Sequence, residues 1–293
     1  APAGAGEGRA LPAWVLRKIG FPLVFLAVLY VVLTYLYLSG YFFRASFTHS
    51  PIQGLAASLM AAAMMLILYA SLVRVVERRE VGELAVPPMV RELGTGLLLG
   101  FGLYTACIVV LMLLGVYRVD GINAWQMLLP GLAAPVATGV FEELLFRAGV
   151  FRIAEKWLGS WIALVISSLV FGFVHLENDS ATMQGILSIS TWAGILLAAT
   201  YMLTRRLWLG IGLHAAWNYT QGTVWSGIVS GNEAPAAGLV RSSMQGPDWL
   251  TGGSFGVEAS LVALLVCSAV GVAMLVVAAR RGNVVPPAWN SGR

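Results

Sequence analysis

The segment from Gln126 to Val150 reads QMLLPGLAAPVATGVFEELLFRAGV, and it decides the fold of this chain. A helix that crosses the hydrocarbon layer of a membrane needs about 20 mostly apolar residues, and this segment is long and apolar enough. It nevertheless contains two adjacent glutamates and an arginine. A charged side chain at that depth costs about 2.5 to 3.5 kcal/mol on insertion scales, so such groups normally line a wet cavity or pair with each other. The segment therefore predicts a membrane helix whose polar groups have a structural or functional role.

The composition of the whole chain agrees with a membrane protein. Hydrophobic residues make up 58% of the 293 residues and charged residues 11%, whereas soluble domains carry about 25% charged residues. Eight apolar runs of suitable length predict an all-α, polytopic membrane bundle of about eight transmembrane helices. The predicted spans cover residues 21–39, 52–74, 93–116, 126–150, 158–176, 185–204, 207–226 and 259–279.

Basic residues predict the orientation of the bundle, because short loops rich in Lys and Arg stay in the cytoplasm. Alternate connections carry most of them, and an even number of spans then places both termini in the cytoplasm. The cytoplasmic set is Arg9, Arg17, Lys18, Arg74, Arg78, Arg79, Arg91, Arg152, Lys156, Arg205, Arg206, Arg280 and Arg281, and the external set is Arg44, Arg118 and Arg241. Topology thus explains the net charge of +4, and no basic patch predicts nucleic-acid binding.

The expected location is a cell membrane, in contact with membrane lipid. Arg outnumbers Lys by 16 to 2, which is typical of GC-rich bacterial genomes and favours a bacterial inner membrane. The first apolar run is longer than the apolar region of a signal peptide, so it is interpreted as a retained span.

Two connections are long enough to hold structure of their own. The cytoplasmic loop 75–92 alternates Arg and Glu, which predicts a short solvated surface helix ended by Pro87 and Pro88. The external segment 227–258 is rich in Gly, Ser and Pro and is interpreted as a flexible lid or as a segment without function.

These features divide the chain into three regions. Residues 1–120 hold the first three spans and the cytoplasmic loop. Residues 121–226 hold the fourth to seventh spans, which contain the polar residues and form the predicted catalytic core. Residues 227–293 hold the external segment and the eighth span.

Helix spacing sorts the polar residues inside the spans. Glu143 and Arg147 are four residues apart, so they share a helix face and are expected to form an ion pair. Glu142 points roughly 100° away from that face and is expected to be unpaired. His214 and Asn218, also four apart, place an imidazole above an amide on one face of the seventh span.

This set of groups is suited to hydrolysis. Glu142 is expected to accept a proton from water, and His175, near the end of the fifth span, to hold that water and share the proton. His214 and Asn218 would donate hydrogen bonds to the oxyanion as it forms. The chemistry needs no Ser or Cys nucleophile, no cofactor and no metal ion.

Three short segments carry a family resemblance. EELLFR (Glu142–Arg147), FGFVH (Phe171–His175) and HAAWN (His214–Asn218) resemble, in order and spacing, the three motifs of the CAAX protease and bacteriocin-processing family of intramembrane glutamic proteases. The resemblance covers residues 142–218. It implies an eight-helix fold, a membrane-anchored protein or peptide as substrate, and these site residues: catalytic Glu142, His175, His214 and Asn218, supported by Glu143 and Arg147.

Two alternatives stay open on the sequence. A zinc protease would draw on the same His and Glu side chains, although no H-E-x-x-H pattern places two histidines four residues apart. A scaffold or immunity-type protein would use the same pocket to bind a partner without cleaving it. A transporter is disfavoured, because the polar residues have no counterpart in the first half of the chain.

Overall fold

Long apolar helices make up most of the structure. The computed structural model describes residues 21–46, 50–232 and 238–290, so the predicted cytoplasmic placement of Arg9, Arg17 and Lys18 lies outside the described residues. The helices and strands are α1 (Phe21–Ala45), α2 (Pro51–Leu72), α3 (Met89–Leu113), β1 (Tyr117–Ile122), α4 (Ala133–Glu142), α5 (Arg152–Phe173), α6 (Met183–Thr204), α7 (Trp208–Tyr219), β2 (Val240–Met244), α8 (Asp248–Thr251) and α9 (Leu261–Arg280). Turns of π helix extend α2, α4 and α7, over Val73–Glu77, Glu143–Phe151 and Thr220–Val224.

The all-α, polytopic membrane bundle is confirmed. In the described residues, six helical stretches are long and apolar enough to cross a membrane. One of them, Trp125–Glu177, has 53 residues and contains the predicted fourth and fifth spans. They separate at Gly159, whose φ of 77° and ψ of 168° break the helix. Because α7 has only 12 residues and its π turn 5, it is too short to qualify by length alone. The count of eight spans and the cytoplasmic termini stay predictions.

Glycines bring α3 and α7 into close contact. A Cβ atom on Gly96 would overlap the carbonyl oxygen of Leu209, and one on Gly100 would overlap that of Leu213. A Cβ atom on Gly212 of α7 would collide with α3 in the same way. Small residues are typical of membrane helix interfaces, where close backbone packing takes the place of a hydrophobic driving force. These glycines fix the position of α7, the helix that carries two of the predicted site residues.

The loop between α2 and α3 is packed against the bundle, so the predicted solvated surface helix over residues 75–92 is wrong. A single 3₁₀ turn (Gly82–Leu84) occupies the middle of the loop, and Pro88 precedes the first residue of α3. Glu83 is only 4% exposed and accepts hydrogen bonds from Arg79 and Tyr69. Some of the charges that suggested solvation are therefore paired inside the fold, whereas Arg78, Glu80 and Arg91 are exposed.

The pairing of Glu83 changes the pKa of its carboxyl group. Burial raises the pKa of the Glu83 carboxyl, but hydrogen bonds from Arg79 and Tyr69 act against burial and prevail, so this pKa lies below its ordinary value. A neighbouring carboxylate, Glu77, bridges Arg79 and Arg152 at 2.7 Å and 2.5 Å. Arg152 begins α5, so the loop is tied to the end of the helical stretch that carries the two glutamates of the fourth span.

A two-stranded antiparallel sheet joins the connection after α3 to the segment 227–258. β1 pairs with β2, with Tyr117 opposite Met244 and Ile122 opposite Val240, and the register shifts between Val119 and Gly121. The segment 227–258, which the sequence predicts to be external, is structured in its described part, because it supplies β2 and α8 as well as several tight turns.

Candidate active site

The two adjacent glutamates lie where α4 changes into a π helix. Glu142 is the last residue of α4, and Glu143 opens the nine-residue π helix. π turns are rare, and they occur frequently at functional sites. Gly139, one turn earlier, lets α4 approach α7, since a Cβ atom there would lie 3.2 Å from the Cβ of Ala215. The carboxylates are thereby brought next to α7.

Glu143 and Arg147 form the ion pair that their spacing predicts. Nη1 of Arg147 lies 3.1 Å from Oε1 of Glu143, and the two side chains are 0% and 1% exposed. The guanidinium also lies over the ring of Phe171, 4.6 Å from its centroid. A buried ion pair of this kind is weak evidence for stability, but loss of one partner leaves the other charge without compensation.

His214 contacts both glutamates. Its Nδ1 lies 3.1 Å from Oε1 of Glu143, and its Nε2 lies 3.7 Å from Oε2 of Glu142. The expectation that Glu142 has no partner on its own helix stays a prediction, because His214 approaches it from another helix and at a distance beyond a hydrogen bond. Helix spacing within one span does not reveal such an approach.

The contact with Glu143 fixes the proton on one nitrogen of His214. An ionised carboxylate only accepts hydrogen bonds, so Nδ1 of His214 carries the hydrogen that faces Glu143. Nε2 is then the nitrogen that faces Glu142 and the interior of the site. Oε2 of Glu142 is buried and has no hydrogen-bond partner in the described residues, while the side chain as a whole is 14% exposed.

Asn218 lies one turn beyond His214, and both line the same internal cavity. The cavity has a volume of about 20 Å³, room for about one water molecule, and lies between α5, α6 and α7. Its walls are mostly apolar, and its polar side chains are His214, Asn218, Ser230 and Glu258. The expected common face of His214 and Asn218 is thus present, and it opens onto an enclosed space.

His175 lies in the 3₁₀ turn that ends α5, and its Nδ1 is 2.8 Å from the carbonyl oxygen of Phe171. A carbonyl oxygen only accepts, so Nδ1 carries the hydrogen and Nε2 of a neutral His175 keeps its lone pair. No hydrogen bond or ion pair joins His175 to Glu142 among the described residues. The water expected between these two side chains stays a prediction.

Glu258 is the polar residue of the cavity that the sequence analysis missed. It comes from the external segment, is 4% exposed, and accepts hydrogen bonds from Trp217 and Ser230. Burial raises the pKa of its carboxyl, while these hydrogen bonds and the nearby His175 act in the opposite direction. The signal in the sequence was a lone acidic residue directly before an apolar run, in GVEASLVALL (Gly256–Leu265).

The two interpretations of residues 227–258, a flexible lid or a segment without function, stay predictions. Glu258 and Ser230 of this segment line the same cavity as His214 and Asn218. Within the described residues, no group of three or more His, Cys, Asp or Glu side chains is arranged to hold a metal ion.

Comparison with known proteins finds a family similarity in this region. Residues 123–220 match the family described as type II CAAX prenyl endopeptidase Rce1-like, and this stretch contains all six predicted site residues. The match covers 98 of the 293 residues, so it shows a similarity of the site region to that family. The apolar helices are those of a multi-pass membrane protein.

The chain is also similar to one curated protein. The UPF0177 protein YvdC of Lactococcus lactis subsp. lactis (strain IL1403) is 27% identical over 104 residues. The match covers 34% of this chain and 37% of that protein, so it spans little more than a third of either. No solved structure matches the chain.

Proposed function

We propose that this protein is an intramembrane endopeptidase that hydrolyses peptide bonds of membrane-associated proteins or peptides. The observation that carries the proposal is the placement of Glu142 and Glu143 against the two ring nitrogens of His214, inside a bundle of membrane helices. Each carboxylate has one oxygen without a hydrogen-bond partner among the described residues, and only Glu143 has a charged partner on its own helix, so Glu142 is the better candidate for a base.

Glu142 is the proposed general base. Its Oε2 is enclosed and lacks a hydrogen-bond partner, so it is available to accept a hydrogen bond from a water molecule. The carboxylate takes a proton from that water as the water oxygen bonds to the substrate carbonyl carbon. When the C–N bond breaks, Glu142 returns the proton to the leaving nitrogen, so the reaction consumes one water and regenerates the carboxylate.

His214 and Asn218 are the proposed donors to the oxyanion. Because Nδ1 of His214 is engaged with Glu143, only Nε2 is left to face the substrate. Donation from Nε2 then requires a proton on both ring nitrogens, and the negative charge of Glu143 favours that cationic form of His214. An oxyanion donor contributes about 3 kcal/mol to transition-state stabilisation in other hydrolases.

His175 is the proposed partner of the attacking water. Nδ1 of His175 donates its hydrogen to the carbonyl oxygen of Phe171. The lone pair on Nε2 of His175 is therefore available to accept a hydrogen bond. This role requires a water molecule between His175 and Glu142, since no direct hydrogen bond or ion pair joins them among the described residues.

The proposed setting is a bacterial inner membrane, and the proposed substrates are membrane-anchored proteins or peptides. The Lactococcus relative and the excess of Arg over Lys support a bacterial origin. The family supports cleavage beside a lipid-anchored or membrane-spanning segment.

The test compares membranes from cells that carry the wild-type chain or Glu142→Gln, with new C termini identified by mass spectrometry. We expect fragments that depend on the wild-type chain and vanish with Glu142→Gln. The matched control is Glu177→Gln, the same change at an exposed position, which should leave the fragments in place. Equal fragments from the wild type and Glu142→Gln would refute the proposal and favour a scaffold.

The zinc-dependent alternative has its own measurement. About one zinc ion per purified chain, together with loss of cleavage in a chelator, would replace the proposed mechanism by a metal-assisted one.

A further inference from the structure

The external segment supplies a buried carboxylate to the cavity, and nothing in the proposed chemistry uses it. Oε1 of Glu258 accepts a hydrogen bond from Nε1 of Trp217 at 2.9 Å. Oε2 accepts two more, from the backbone N–H of Ser230 at 2.6 Å and from its hydroxyl at 2.8 Å. A buried carboxylate is costly unless it is hydrogen-bonded in this way, so its presence calls for a reason.

The contacts of Glu258 reach the helix that carries the proposed oxyanion donors. Trp217 lies between His214 and Asn218 on α7 and stacks near Trp192 of α6, with ring centroids 4.5 Å apart. Fixing the indole of Trp217 fixes the rotation of α7 about its axis. That rotation decides whether the side chain of Asn218 faces the cavity.

A second chain of contacts reaches His175. The side-chain amide of Asn178 donates to the carbonyl oxygen of Ser230 at 2.6 Å, and the backbone N–H of Asn178 donates to the carbonyl oxygen of His175 at 3.2 Å. The end of α5 is therefore connected to Glu258 through Asn178 and Ser230.

Ser230 adopts an unusual backbone conformation at the point of contact. Its φ of 51° lies in the left-handed region, which a residue with a Cβ atom seldom occupies. This conformation points both its N–H and its hydroxyl at the same oxygen of Glu258. Such strain persists only where the surrounding structure holds it, and it is typical of functional sites.

We propose that Glu258 is a positioning residue of the active site, which holds α7 and the His175 end of α5 in register across the cavity. The inference rests on the proposed peptidase function. Glu258 lies outside residues 123–220, so the external segment completes a site whose other members all lie within that stretch.

Ser188→Ala is a matched control, because it weakens the attachment of the backbone at Glu258 to α6 without changing the Glu258 carboxylate. Ser188 of α6 donates to the backbone carbonyl oxygen of Glu258 at 2.9 Å, whereas Trp217 donates to its carboxylate. Ser188→Ala therefore weakens the anchor of the segment and leaves the carboxylate unchanged. Glu258→Gln removes the charge and leaves the backbone anchor unchanged.

The experiment measures cleavage fragments in membranes that carry equal amounts of each variant. Because Glu258→Gln weakens the hydrogen bonds that hold Trp217 and Ser230, we expect it to reduce fragment formation by about tenfold or more relative to Ser188→Ala. Equal cleavage by these two variants at equal thermal stability would overturn the inference. Glu142→Gln is run in parallel, because cleavage that persists in that variant refutes the peptidase function itself.

A spectroscopic measurement does not depend on activity. In protein labelled with ¹⁵N-tryptophan, Glu258→Gln should shift the indole N–H signal of Trp217, which donates to the carboxylate. The indole signal of Trp192 should shift less, because Trp192 donates to the backbone carbonyl oxygen of Glu258, at 2.9 Å, which the substitution leaves in place. Unchanged signals from both indoles would contradict the proposed contact. If Glu258→Gln does not fold, Trp217→Phe removes the donor with the carboxylate in place, and wild-type cleavage by Trp217→Phe would overturn the inference.

Discussion

Oε1 of Glu143 accepts a hydrogen bond from Arg147 and lies at the same distance, 3.1 Å, from Nδ1 of His214. A single carboxylate oxygen thus links an ion pair within one helix to an imidazole on another, 71 residues later in the chain. The sequence assigned Glu143 a supporting role through Arg147 alone. The contact with His214 gives it a second role, which is to set the tautomer and charge of the proposed oxyanion donor.

Two variants distinguish the contribution of Glu143 to stability from its contribution to activity. Arg147→Met leaves Glu143 as a buried charge without its main partner, which should lower the free energy of unfolding by about 3 to 5 kcal/mol. The double variant Glu143→Leu with Arg147→Met removes both charges and should recover much of that stability. The double variant should nevertheless be inactive, because His214 has lost the acceptor at Nδ1. Thermal unfolding and fragment analysis of both variants check this, and an active double variant would contradict the role given to Glu143.

Asn218 offers a test of the oxyanion site. Asn218→Ala removes a donor from the cavity wall without adding bulk, and loss of one oxyanion donor lowers turnover by about 100-fold or more in other hydrolases. The neighbouring variant Tyr219→Phe, which loses a hydroxyl that bonds to the carbonyl oxygen of Leu128 at 3.2 Å, should cleave nearly as the wild type does. Similar cleavage by the two variants would remove Asn218 from the mechanism.

The packing of α3 against α7 predicts an effect of a single methyl group. A Cβ atom at Gly100 would overlap the carbonyl oxygen of Leu213, so Gly100→Ala should push α7 away and displace His214. At Gly102, on the same helix, a Cβ atom meets nothing within 4 Å. We expect Gly100→Ala to lose cleavage and thermal stability and Gly102→Ala to keep both. Equal behaviour of these two variants would show that the close approach does not position α7.

The ion pairs of the loop between α2 and α3 predict that the stability of the protein depends on pH in the acidic range. The pKa of Glu83 is lower in the folded protein than its unfolded value of about 4.3, so its ionised form stabilises the fold. That stabilisation is present in full above the unfolded pKa and is lost as the pH falls through the folded pKa.

Thermal unfolding measured from neutral pH down to acid checks this expectation. Glu83→Gln has no carboxyl to titrate at this position, so its melting temperature should fall less steeply in acid than that of the wild type. Glu80→Gln, at an exposed residue of the same loop, should follow the wild-type curve. Parallel acid curves for all three proteins would refute the contribution of Glu83.

The sequence alone determined that this protein is an all-α membrane bundle and where most of its helices lie. Hydropathy over about 20 residues is a local property, so each span can be recognised without its neighbours. The ion pair of Glu143 and Arg147 was predictable for the same reason, because four residues along one helix bring two side chains together. The three motifs likewise pointed to the residues of the proposed site.

Only the tertiary structure decided which of those groups meet. The contacts of His214 with Glu142 and Glu143 join α7 to the end of α4, and the contact of Glu258 with Trp217 joins the external segment to α7. Such contacts depend on how glycines allow helices to approach and on where a helix widens into a π turn. Neither property follows from the spacing of residues within one span. The alternating charges of residues 75–92 suggested solvation for the same reason, since part of their partners, such as Arg152 for Glu77 and Tyr69 for Glu83, lie on other elements.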